Sequence, residues 1–193
     1  MKYKKQKILI DVDDVIVDNA FLDAINKFKG TKYKDNDFED YYIDDIVMNK
    51  YDKDNFRKYI LENNIYEKCR LVEGAKEGLN LLKDSMDIYI CSACVVRGIE
   101  KYSGIFFARK YDFLIKNFPY LDPNKIIFTG SKNNFVGFDY QIDDRVQNLE
   151  GNIPHKLLFT RHHNKNIDKD ILREKGITRV ENWNEILDYI MCM

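Results

Sequence analysis

Short apolar runs recur along this chain, and most give way to polar or acidic residues. Residues 7–10 stop at Asp11; similar runs occupy 88–91, 125–128, 140–142 and 156–159, with a weaker one at 178–180. Runs of this length predict buried strands of a parallel sheet. Helical periods lie between most of them. Val72, Ala75, Leu79 and Leu82 recur at spacings of 3, 4 and 3, and Phe107, Tyr111, Leu114 and Phe118 at 4, 3 and 4, with Pro119 as the stop. Ile186, Leu187, Ile190 and Met191 form an apolar face near the C-terminus, behind Asn182 as N-cap with Glu185 three residues on. Strands alternating with helices predict an α/β fold, a Rossmann-like doubly wound parallel sheet covered on both faces.

One interval breaks the rhythm. More than seventy residues without a convincing strand separate Ile10 from Ile88, far more than one crossover needs. Phe21, Ile25 and Phe28 mark one helix there, and Phe56, Tyr59 and Ile60 another, with Asp54 as its cap; 35–51 reads as loop with short helix. The pattern predicts a small helical cap at 18–71, inserted after the first strand of a core made of 1–17 and 72–193.

Composition narrows the classes of partner. The 193 residues suit one α/β domain with a modest insertion. With 31 basic against 32 acidic residues, the chain lacks the basic excess of proteins that track a nucleic-acid polymer. A small phosphorylated molecule needs only a few local cations. No apolar run approaches the roughly 20 residues that span a bilayer, and Asp11, Asp13 and Asp14 follow Ile8–Ile10 too soon for a signal-peptide core. The expectation is a cytoplasmic protein with no membrane partner and reduced thiols at Cys69, Cys91, Cys94 and Cys192.

In an open α/β sheet, ligands bind at the carboxyl ends of the strands. Those ends carry Asp11, Asp13 and Asp14, then Ser92, then Lys132 shortly after the third strand, then Asp143 and Asp144. Crowded carboxylates resist joint ionisation. A divalent cation relieves this, and oxygen ligands at a site that must also accept phosphate favour Mg²⁺. Lys132 and Ser92 would take the remaining phosphate oxygens. Asp11 is placed to attack phosphorus, and Asp13 to protonate the leaving oxygen and then activate water.

These residues resemble the haloacid dehalogenase superfamily. The run 8–18, ILIDVDDVIVD, is similar to the first motif of its 5′(3′)-deoxyribonucleotidase branch, including an Asp seven residues after the nucleophile. Ile90-Cys-Ser-Ala93 resembles the second motif, Lys132 the third and Ile142-Asp-Asp-Arg145 the fourth, while 71–79 is similar to the return from the cap. The resemblance implies a Mg²⁺-dependent phosphohydrolase acting through an aspartyl-phosphate, in that branch a 5′-nucleotidase for nucleoside monophosphates. It implies Asp11 as nucleophile and metal ligand, and Asp13 as acid/base that binds metal through its carbonyl. Asp143 is implied as the remaining metal ligand, with Asp144 behind it or as a further ligand carboxylate, and Ser92, the Ala93 backbone and Lys132 as the phosphate site. Asn19 stands where animal members carry a base-stacking aromatic, and Cys94 where the second motif usually has Pro. Phe21, Tyr41, Tyr42 and Phe56 remain as aromatic candidates, with core packing the first role for Phe21 and Phe56.

Other readings fit less well. A calcium loop would need Gly where Ile16 stands. A receiver domain would place its lysine last, whereas here the Asp pair follows Lys132. A phosphatase for another ester, such as a sugar phosphate, and a phosphate-binding domain without turnover are the alternatives carried forward. The spacing Cys91–Cys94 matches a redox pair but reads as strand filler, His162-His163 as a solvated turn, and Trp183 as core. Arg97, Arg145, Arg161 and Asp18 are each open to a structural or a substrate-facing role.

Overall fold

A computed structural model describes residues 4–192. Six parallel strands form the sheet: β1 (Gln6–Ile10), β4 (Met86–Ser92), β5 (Ile126–Phe128), β6 (Tyr140–Asp143), β7 (His155–Phe159) and β8 (Ile177–Val180). Each lies within two residues of its sequence-predicted run. The spatial order is β5-β4-β1-β6-β7-β8. From β1 the chain builds outward through β4 and β5, then returns to β6 on the other side of β1. The order therefore reverses between β1 and β6, and a crevice opens there beyond the strand ends.

Side chains alternate across β1. Ile8 and Ile10 join the larger core with Leu79, Leu114, Ile142 and Trp183. Leu9 faces the opposite layer with Cys91 and Ile153. Helix α4 (Ala75–Ser85) follows the predicted period, as do α5 (Ser103–Asn117) and α7 (Trp183–Met191). Asn182 caps α7 by accepting from the Glu185 amide at 3.1 Å. Trp183 is buried, and its indole donates to the Val15 carbonyl at 2.9 Å. Gly78 lies beneath that ring, where a Cβ would stand 2.3 Å from Trp183 Cε3. Glycine inside a helix costs about 1 kcal/mol; here it allows the indole to reach the loop after β1. A short helix α6 (Lys169–Glu174), not foreseen from the sequence, precedes β8.

The long interval leaves the sheet through β2 (Val17–Asp18) and returns through β3 (Arg70–Leu71), which pair antiparallel. These two-residue strands are too short to leave a period in the sequence. Between them lie α1 (Ala20–Lys29), α2 (Ile43–Val47) and α3 (Lys50–Glu62). Asn49, not Asp54, caps α3, accepting from the Asp52 amide at 2.9 Å, whereas Asp54 pairs with Arg57 one turn on. The apolar faces of these helices, including Leu22, Ile25, Phe56 and Ile60, close over Cys94, Ile99 and Phe106 of the sheet-bearing part. Arg109 of α5 donates to the carbonyls of Ile60 and Leu61 at 2.7 Å each, satisfying the end of α3. Cys69, Cys91, Cys94 and Cys192 carry no disulfide. Among the described residues no helix is long and apolar enough to cross a membrane.

Candidate active site

The reversal in strand order brings Asp11 and Asp143 face to face. The Asp11 amide donates to the Ile142 carbonyl at 3.0 Å, extending the β1–β6 ladder by one residue. The chain then folds into a tight loop, with the amides of Ile16 and Val17 both donating to the Val12 carbonyl. Asp14 takes a left-handed conformation, φ 60°, which short polar side chains tolerate best after glycine. Arg161 pins the loop by donating to the Asp14 carbonyl at 2.6 Å and to Asp18 at 3.1 Å. Both residues thus hold the loop's shape.

Lys132, 3% exposed, lies 2.6 Å from Asp11 Oδ1 and 2.9 Å from Asp143 Oδ2. Asp143 Oδ1 accepts from the Arg145 amide and from Asn148 Nδ2. Asp11, Asp143 and Asp144 offer carboxylate oxygens within 4.8 Å of one another. One ammonium does not offset three buried carboxylates. Burial pushes Asp11 up to about 7, with Lys132 opposing and Asp143 and Asp13 adding to the rise. Burial raises Asp144 well above the usual carboxylate range, and its acidic neighbours reinforce this. A donor set of hard oxygens short of positive charge fits a divalent cation such as Mg²⁺, which Asp11, Asp143 and Asp144 could hold.

Ser92, fully buried at the end of β4, is also part of the crevice. Its hydroxyl accepts from Lys110 Nζ at 2.7 Å, and the same ammonium lies 2.6 Å from Asp13 Oδ2. The Tyr66 hydroxyl donates to Asp13 Oδ1 at 3.2 Å. Asp13 and Ala93 reach the wall of a cavity of about 210 Å³, also lined by Phe21, Tyr41, Tyr42 and Phe56. Tyr41 lies 4.2 Å from the Arg145 guanidinium, ring centre to Cζ, and Tyr42 lies 3.8 Å from that of Arg97. Arg97 lines the same cavity and is bound to Asp45 at 2.9 Å.

Asp11, Asp13, Ser92, Lys132, Asp143 and Asp144 therefore converge, with Ala93 at the rim. Sequence reasoning overlooked Lys110 and Tyr66. The signal for Lys110 was present: it occupies the apolar stripe Phe107, Tyr111, Leu114 of a helix, where an unpaired lysine would be costly. His162 and His163 are corrected: they are not a solvated turn. His162 is buried with Nδ1 2.6 Å from Asp35, and His163 Nε2 lies 3.3 Å from Asp144. The loop after β7 folds inward over the end of β6, which local composition does not announce. Cys91 is buried and its thiol is pushed up to about 12 by that burial, the opposite of a reactive redox cysteine.

The fold is that of haloacid dehalogenase-like proteins. A solved structure from Agrobacterium tumefaciens superposes with a TM-score of 0.61 at 15% identity, covering 98% of this chain and 99% of that one. A haloacid dehalogenase-like hydrolase from Streptococcus pneumoniae gives 0.59 at 16% identity, covering 96% and 98%. The chain belongs to the family described as 5′ nucleotidase, deoxy (pyrimidine), cytosolic type C, which it matches over residues 5–193. It is a phosphoric monoester hydrolase. A 5′(3′)-deoxyribonucleotidase of Bacillus subtilis is 26% identical over 185 residues, covering 94% of this chain and 96% of that protein. A candidate 5′(3′)-deoxyribonucleotidase of Staphylococcus aureus is 27% identical over 190 residues, covering 97% and 96%.

Proposed function

We propose that this protein is a Mg²⁺-dependent nucleotidase that removes phosphate from deoxynucleoside monophosphates through a phosphorylated Asp11. The convergence of Asp11, Asp143 and Asp144 around Lys132, next to Ser92 at the strand-order reversal, carries the reading. Asp11 and Asp143 would hold the metal with the Asp13 carbonyl, and Asp144 would support them. When bound, the ion neutralises phosphate charge and orients phosphorus. Ser92, the Ala93 backbone and Lys132 bind the phosphate oxygens. An Asp11 oxygen forms the new bond to phosphorus as the ester P–O bond breaks, and the Asp13 carboxyl gives its proton to the leaving oxygen. Asp13 then takes a proton from the water that hydrolyses the aspartyl-phosphate. Residues 18–71 serve as a cap that excludes bulk water and presents Tyr41 and Tyr42 to the nucleoside. Names of the curated relatives support the deoxynucleotide, and a magnesium-bound haloacid dehalogenase-type hydrolase of Bacillus subtilis with the same fold supports the metal.

Phosphate release from nucleoside monophosphates and sugar phosphates, with and without Mg²⁺, tests this beside Asp11→Asn. The expected outcome is metal-dependent release from deoxynucleotides, lowered about 10⁴-fold or more in the variant, with the fold retained. An active Asp11→Asn protein would sink the covalent mechanism. Release confined to other esters would keep the mechanism and discard the nucleotide.

A further inference from the structure

Lys110 is fully buried, although it stands on a helix face otherwise built from apolar residues. Burying an ammonium is costly unless its partners compensate, and a well-packed apolar residue would often be as stable. Its polar contacts lie in the crevice: Asp13 Oδ2 at 2.6 Å and Ser92 Oγ at 2.7 Å. The Tyr66 ring covers it at 5.0 Å, and the Tyr66 hydroxyl reaches the other oxygen of Asp13 at 3.2 Å. Both oxygens of one carboxyl are thus fixed, one from α5 and one from the turn that follows α3.

Without these two donors, Asp13 would be free to turn. Its side chain is 24% exposed at the cavity wall, and nothing apolar need hold it. Misplacing a reacting group by about 1 Å can cost on the order of 100-fold in rate. Lys110 also joins Asp13 to Ser92, so one ammonium sets the distance between the Asp13 carboxyl and the Ser92 hydroxyl. We propose that Lys110, aided by Tyr66, is a positioning residue that aims the Asp13 carboxyl at the leaving oxygen. This inference rests on the acid/base reading of Asp13 given above.

The test compares leaving groups in a single turnover of the Mg²⁺-loaded enzyme. An alkyl ester, the best substrate of the panel, needs a proton on its leaving oxygen; 4-nitrophenyl phosphate does not. Asp13→Asn is the reference. It should slow alcohol release from the alkyl ester about 100-fold or more, and nitrophenol release much less. Lys110→Met should copy that signature, about 100-fold against about 3-fold or less, and Lys110→Arg, which restores a charge, should recover part of the alkyl-ester rate. An equal loss on both esters with raised KM would make Lys110 a phosphate anchor and overturn the proposal. An Asp13→Asn enzyme that does not distinguish the esters would remove the acid/base reading beneath it. If Lys110→Met fails to fold, Tyr66→Phe carries the test, since it removes one hydroxyl. A selective loss of about 5-fold on the alkyl ester supports the clamp, and wild-type rates on both esters overturn it.

Discussion

The crevice at the strand ends and the cavity beside it are built on opposite plans. In the crevice, Lys132 is locked between Asp11 and Asp143, and Lys110 between Asp13 and Ser92, with contacts of 2.6–2.9 Å. In the cavity, Tyr41 and Tyr42 are each about two-fifths exposed as whole residues, with arginines behind their rings. Phosphoryl transfer depends on charges held in place before substrate arrives. Recognition of a flat organic group depends on aromatic surface that is still free to be covered. One molecule carries both because its carboxylates sit on rigid strand ends, while its tyrosines sit on the inserted segment.

The largest effect should come from the crevice. Lys132→Met leaves Asp11 and Asp143 buried without their ammonium. Breaking one partner out of a buried pair costs about 3–5 kcal/mol, so urea unfolding of the metal-free variant at pH 8 should show a loss of that size. The loss should be smaller at pH 5, because Asp11, already pushed up to about 7 by burial, can take a proton. A loss under about 1 kcal/mol at both pH values would mean that the crevice is no more preorganised than the surface.

This contrast also governs what the sequence makes legible. Asp11, Asp13, Ser92, Asp143 and Asp144 lie at or just past strand ends, where the change from apolar to polar is local and easily read. Lys132 was found because it follows the third strand closely. Lys110 and Tyr66 come from a helix and a turn, 97 and 53 residues from Asp13, and their meeting is a product of tertiary packing. His163 meets Asp144 from the loop after β7, 19 residues on. The six strands were legible because each carries a short, largely apolar run; β2 and β3, two residues each, were not. Neither was the end of α3, which depends on Arg109 of α5.

A second effect tests the shortage of positive charge. Burial pushes Asp11 up to about 7 and Asp14 up to about 6, from an ordinary 3.8. Between roughly pH 4 and 7 the metal-free native state therefore binds more protons than the unfolded chain, and these groups make it less stable as pH rises. A bound cation should reverse that trend. Saturating Mg²⁺ should raise Tm little at pH 5 and most at pH 8. Asp143→Asn should shrink that gain and raise the Mg²⁺ needed for half-maximal activity about 10-fold or more. A Tm gain that does not grow with pH would break the link between carboxylate crowding and metal. An unchanged Mg²⁺ titration would rule out Asp143 as a ligand.

The smallest effect belongs to the cavity, and it separates recognition from chemistry. Tyr41→Ala and Tyr42→Ala remove partly exposed rings that line the cavity with Asp13. Stacking of a base on an aromatic side chain contributes about 1–3 kcal/mol, so each variant should raise KM for deoxynucleotides about 10-fold with kcat little changed. Phenyl phosphate, which has no nucleoside to stack, should keep its KM in both. Phe56→Ala is a useful contrast. Phe56 is 5% exposed and packs on Phe28 and Tyr59, with ring centroids 5.5 and 6.4 Å away. Its truncation should cost about 3–5 kcal/mol of stability and disturb every substrate alike. If the tyrosine variants also lose phenyl phosphate, their rings hold the inserted segment in place and do not read the nucleoside. The two plans would then be one, with the cavity as preorganised as the crevice beneath it.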